Sequence, residues 1–171
     1  MLVENFKQGL DVWINQLENY DLKQLYAKPS PNSWSIGQVY MHLIENTDWF
    51  LEQAKICSST DENANEEASP AGKAMLVINE FPDVVLEGPP ENNATQQPES
   101  NGQLISDLKQ LRDEISDLGK VIYASEFKGK TKHPGLGYFN AVEWFQFAEM
   151  HLRHHLRQKK RIDVFLKAST F

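Results

Sequence analysis

From Leu104 to Ile122 an apolar side chain returns every three or four positions: Leu104, Leu108, Leu111, Ile115, Leu118 and Ile122, with Ile105 beside them. That spacing lines one face of an α-helix and is wrong for a strand, whose faces alternate every second residue. Three further segments carry the same period. Val3, Phe6, Leu10, Trp13, Leu17 and Tyr20 mark a helix over about Leu2–Tyr26, and Ile36, Val39, Leu43 and Phe50 mark one ending near Cys57. The last runs from Asn140 to about Lys167. Ser35 with Gln38 and Asn140 with Glu143 form capping boxes, each flanked by a hydrophobic staple, Trp34 with Val39 and Phe139 with Trp144. A Ser100–Gln103 box precedes the third helix.

The connections are unequal. KPSPNS (28–33) is a short proline-bearing turn, whereas residues 58–100 exceed the length of an ordinary loop. This long connection opens on SSTDENANEEASP, whose acidity and low hydrophobicity predict mobility. KAMLVINEF within it could form a short helix, and PPENNATQQP an extended proline-rich piece. No internal repeat and no strand is read from the chain. Four long amphipathic helices with one long crossover, between the second and the third, imply an all-α four-helix bundle in a single domain spanning 1–171.

Charge and cysteine usage narrow the function classes. The formal charge of −7 is concentrated in residues 58–100, which hold nine acids and one base, while Lys128–Lys167 holds nine bases and three acids. Arg153, Arg157, Lys159, Lys160 and Arg161 read as a solvated face, and a negative chain without an aromatic stacking platform there is a poor match for nucleic acid. One cysteine, Cys57, excludes an internal disulfide framework and fits a reducing, cytoplasmic setting. It reads as a core thiol near a helix end. No secretory signal is evident in MLVENFKQGLDVW, and no apolar run reaches the roughly 20 residues needed to cross a bilayer. We expect a soluble protein, monomeric or homodimeric, that binds neither nucleic acid nor membrane.

Three of the five histidines fall within EMHLRHHLRQ (149–158). A heptad-like seam through Trp144, Ala148, His151, His155, Gln158, Ile162 and Phe165 turns His151 and His155 inward and leaves His154 at the flank. Imidazoles at i and i+4 share a helix face and can offer two nitrogens to one metal ion. His42, the only other histidine within a helical segment, is the candidate third ligand. A lone histidine there is more often a satisfied core or boundary residue. Three neutral imidazoles with an open fourth position suit Zn²⁺, with Ni²⁺ close behind, and leave a water to be activated. Asn46 and Gln158 could orient the rings. Trp34, Trp49 and Trp144 read as core, although Trp49, seven residues after His42, could line a pocket. Glu149 lies on the opposite face from His151, and Glu45 is only a flanking candidate, so no general base is evident.

The segments WSIGQVYMHL, HPGLGYFNAVEWFQF and HLRHHLRQ resemble the DinB/YfiT-like superfamily of metal-dependent enzymes. FPDVVLEGPP matches more loosely, and the first and third helices match in length and pattern alone. The resemblance implies a four-helix bundle of unusual topology with three histidines on a divalent metal, here His42, His151 and His155. It implies hydrolysis of a small molecule, or transfer or isomerisation using a low-molecular-weight thiol. His133, in HPGLG, is also a motif position, although it reads most simply as a loop imidazole packed on its turn. The alternative is a non-catalytic bundle whose metal is structural or absent.

Overall fold

The computed structural model describes residues 1–82 and 94–169. Four long helices carry the fold: α1 (Leu2–Leu17), α3 (Ile36–Cys57), α5 (Asn101–Ala124) and α6 (Ala141–Ala168). Two short ones, α2 (Leu22–Tyr26) and α4 (Pro70–Ile78), lie in the connections. Two of the three expected capping boxes close in full. Ser35 Oγ accepts from the Gln38 amide at 3.1 Å while Gln38 Oε1 accepts from the Ser35 amide at 3.2 Å. Asn140 and Glu143 do the same at 2.9 and 2.8 Å. At α5 only half a box forms, because the Gln103 side chain accepts from the Glu99 amide rather than from Ser100.

The first helix is shorter than its apolar period suggests. It ends at Leu17, and a second capping box, Asp21 with Gln24, starts α2 after an extended residue. The period runs on because Tyr20, in the break, still reaches the core. Packing then decides the topology. α1 packs on α5 and α6, and α3 packs on the same two, so α1 and α3 occupy one diagonal and α5 and α6 the other. Across the first diagonal Tyr40 donates to the Trp13 carbonyl at 2.9 Å, with the two rings edge to face. Phe6, Leu10, Trp13, Leu43, Leu104, Leu108 and Trp144 are fully buried between the helices. Each such large apolar side chain is worth about 1.5–3 kcal/mol of burial.

Two expectations are corrected. A two-stranded antiparallel hairpin, β1 (Lys130–His133) and β2 (Gly137–Asn140), interrupts the otherwise helical chain. Its strands are four residues long, too short and too polar to show a clear period of two. Its last residue, Asn140, is also the N-cap of α6, so the hairpin hands the chain directly to that helix. The acidic stretch at the start of the long connection is pinned to this hairpin rather than loose. Glu62 O accepts from the Lys130 amide at 2.9 Å, Glu67 O from the Tyr138 amide at 3.1 Å, and Leu136 O from the Ser69 amide at 2.8 Å. Its acids lie beside the basic KGKTK strand, where Asp61 accepts from the Lys128 amide at 2.8 Å. Low hydrophobicity misled because backbone pairing, not side-chain burial, holds the segment.

The short helix expected near 73–81 is α4, capped by Ser69, begun by Pro70 and ended by Asn79 in the left-handed conformation. Most of FPDVVLEGPP and the first half of PPENNATQQP lie outside the described residues. From Ala94 the chain returns across the start of α3, where Gln38 Nε2 donates to Thr95 O at 2.7 Å and Tyr26 to Pro98 O at 2.6 Å. No helix among the described residues is long and apolar enough to cross a membrane.

Gly137 is the joint between hairpin and acidic segment. Its φ is +81°, and a Cβ there would meet Ser69 N at 2.5 Å and Glu67 O at 2.8 Å. Gly137→Ala should therefore destabilise the fold by about 2–4 kcal/mol, from left-handed strain plus steric displacement. Protease cleavage within 60–69 should rise in parallel, whereas an unchanged denaturation midpoint would refute this account.

Candidate metal centre

α3 and α6 form the most extensive helix pair of the bundle, and the three inward histidines meet in their seam. His42 comes from the second turn of α3, while His151 and His155 stand one turn apart on α6. All three are buried, at 5%, 7% and 6% exposure. Ring centroids lie 5.3 Å apart for His42 and His151, 4.9 Å for His42 and His155, and 4.4 Å for His151 and His155. One nitrogen from each falls within 4.8 Å of the others, an arrangement that could hold a metal ion. The Nε2 atoms of His151 and His155 are 3.0 Å apart. Two imidazoles bound to tetrahedral zinc at about 2.0–2.1 Å have nitrogens about 3.3 Å apart, so a small spreading of the pair admits an ion.

Burial sets the charge of this cluster. It lowers His42 to about 4, helped by repulsion from His154. It lowers His155 to about 3, with repulsion from His42 adding to it and the Gln158 hydrogen bond opposing. His151 is held well below its ordinary value by burial, then by His155 and His42. The rings are therefore neutral at neutral pH, the state in which imidazole binds a metal. No acidic side chain of the described residues joins the group.

The three rings are not equally supported. Gln158 Oε1 lies 2.8 Å from His155 Nδ1, and an amide oxygen only accepts. The His155 proton therefore belongs on Nδ1, and the Nε2 lone pair faces the cluster. Asn46 Nδ2 lies 3.0 Å from His42 Nδ1 and also donates to the His42 carbonyl at 2.9 Å. In that pose Nδ1 is the acceptor, and freeing His42 Nε2 requires the amide to turn over. His151 Nδ1 is buried with no hydrogen-bond partner. An orphaned polar atom of this kind costs about 1–3 kcal/mol, which fits a ring held for its other nitrogen.

Aromatic side chains wall the cluster. Trp34 packs on His42 at 4.8 Å, and Phe50 and Phe81 approach His151 at 5.3 and 6.1 Å. Trp34, read as core, is only partly buried and belongs to this wall. Its position two turns before His42 is the signal that could have placed it. Phe81 gave none, being far from every ligand in sequence. Trp49 is 40% exposed and packs on Phe50 and Trp144, one ring removed from the histidines. His133 accepts from the Gly135 amide at 3.1 Å and packs on Phe139, Trp144 and Phe147, so the turn of the hairpin holds it. Cys57 is a buried thiol near Thr131 and the Phe139 carbonyl.

The basic face of α6 is smaller than the sequence suggests. Lys159 is buried at 5% exposure, paired with Asp163 at 2.7 Å and lying over the Tyr20 ring. The seam follows the true helical period, so Lys159 and Leu166 face inward where Gln158 and Phe165 were expected. Arg153 grips Glu149 through two bonds of 2.7 and 2.8 Å, which turns that carboxylate away from the histidines.

The model of the DinB superfamily matches residues 5–158. Among solved structures, the chain is similar to the crystal structure of TT2238, a four-helix bundle protein. The two share 14% identity at a TM-score of 0.59, over 94% of this chain and 96% of that one, which shows a common fold. No curated protein sequence matches the chain.

The lowered histidines fix the sign of an acid effect. Unfolding restores them toward 6.5, so the unfolded chain takes up protons first and stability falls as pH drops below that value. In metal-free protein, His42 and His155 should each cost about 1.4 kcal/mol per pH unit between 6.5 and 4. Denaturant titrations of wild type and His155→Gln should show a shallower acid slope in the variant. Parallel slopes would contradict the burial argument.

Proposed function

Because the chain belongs to the DinB superfamily and its fold brings His42, His151 and His155 into one buried group, we propose that it is a divalent-metal-dependent enzyme acting on a small molecule. Zinc suits three imidazole donors best, with nickel next. A bound ion would supply Lewis acidity, polarising a substrate oxygen or favouring the thiolate of a low-molecular-weight thiol. The protein's own part is to keep the three rings neutral, to fix His155 through Gln158 and to keep the surroundings apolar.

The observation that carries this reading is convergence without a carboxylate. Three neutral ligands leave the full charge of a dication in the site, and among the described residues no acidic side chain stands ready as a general base. Glu149 is engaged with Arg153, and Glu45 is exposed. That arrangement favours thiol-dependent transfer over hydrolysis, since a thiol needs no separate base when the metal itself stabilises the thiolate. One observation favours the second reading, a structural metal: the histidines are almost closed off from solvent.

Protein prepared without a histidine tag and supplied with zinc or nickel should retain about one ion per chain. His42→Ala and His155→Ala should each reduce retention by at least tenfold. Failure of the wild type to hold either metal would overturn the proposal. Retention with a gain in thermal stability, but no turnover of any thiol or ester substrate, would favour the structural reading.

A further inference from the structure

Phe81 stands at the end of a clamp that Arg153 and Arg157 of α6 close on the chain after α4. Arg157 donates to Phe81 O at 2.9 Å and Pro82 O at 3.4 Å, and it pairs with Glu80 at 2.8 Å. It also lies 3.2 Å from His154 Nδ1, and the His154 ring packs on Phe81 at 5.1 Å. One turn earlier, Arg153 donates to Asn79 O at 2.8 Å, and Gln146 binds Leu76 O and Asn79 Oδ1. Residues 76–82 are thus tied to α6 over about three turns, from Gln146 to Arg157, mostly through their carbonyls. These bonds fix where the backbone runs and leave the side chains to do something else.

What Phe81 does is join two places. Its ring contacts His151 and Phe147 on the bundle side, and it also lines a cleft of about 430 Å³ with Ala71, Met75, Ile78 and Pro82. That volume falls within the range of small-molecule sites, about 300–1,000 Å³. Among the described residues the lining is apolar except for Glu80, whose carboxylate is already matched by Arg157. An ion or a strongly charged ligand gains nothing there, whereas an apolar group gains its burial.

We propose that this cleft is the apolar half of the substrate site, that Phe81 is the ring shared between it and the histidine cluster, and that Arg157 is the positioning residue holding that ring. The ligand class follows: a small molecule with a metal-binding head and an uncharged aromatic or alkyl tail. The inference rests on the metal-site reading above and adds to it the chemistry of the substrate.

The test uses cobalt(II)-loaded full-length protein and the visible spectrum of the ion, so that it does not depend on turnover. Acetohydroxamate and benzohydroxamate present the same head and differ in tail. Benzohydroxamate should bind more tightly by on the order of tenfold, the gain expected from burying a phenyl ring. Phe81→Ala and Met75→Gln should each remove most of that preference while acetohydroxamate affinity holds. Arg157→Gln should reduce it and add nothing further in the Phe81→Ala background, as expected of a residue acting through the ring. Arg157→Lys, which keeps the charge but loses the fork, should behave like Arg157→Gln. Equal affinity for the two hydroxamates, or a preference that survives Met75→Gln and Arg157→Gln, would overturn the inference and leave the metal site standing. Absence of a cobalt spectrum would instead sink the metal-site reading, and this inference with it.

Discussion

Three imidazoles buried in one helix seam are an expensive arrangement, and the rest of the structure can be understood as what makes it tolerable. A protonated ring in that seam would need a buried counter-charge, which the described residues do not provide. Neutral rings still need partners, and only His155 has an unambiguous one in Gln158. The apolar residues around them, from Trp144 and Ala148 above to Ile162 below, supply the burial that holds the polar layer in place. α3 and α6 pack closely because everything on either side of the histidines is ordinary core.

The architecture brings those two helices together by placing α1 and α3 across one diagonal and α5 and α6 across the other. α2 and the proline turn carry the chain from α1 across the end of the bundle to α3. The hairpin carries it from α5 across to α6, and Asn140 ends the strand and caps the helix in one residue. The long connection is correspondingly not a passive tether. Its first part lies along the hairpin, α4 lies on α6, and its final part closes over the start of α3.

Much of this was legible from the sequence, and the reasons differ by element. The bundle helices were readable because burial imposes a period and capping imposes a signature. The two histidines of α6 were readable because polar residues inside an apolar seam demand an explanation. His42 was a candidate by its position alone, and the family resemblance is what set it apart from the many innocent readings of a single polar residue in a helix. The hairpin, the pinned acidic segment and the carbonyl clamp on residues 79–82 were not readable. All three are held by hydrogen bonds to backbone carbonyls, and a backbone carbonyl leaves no mark on the identity of its residue. Lys159 was misplaced for another reason: a strict seven-residue repeat drifts from the true helical period within two turns.

The separation of His42 from His151 along the chain has a consequence for how the site comes into being. Roughly a hundred residues must be made after the first ligand before the second exists, and the hairpin that aims α6 must form in between. No N-terminal fragment can hold the complete site, however well its own helices form. During synthesis the chain therefore passes most of its length with one solitary imidazole, which is too weak a ligand to capture a metal ion by itself. Loading of an ion would then be a late event that only finished molecules undergo, and it would mark those whose second and last long helices, α3 and α6, have found their places.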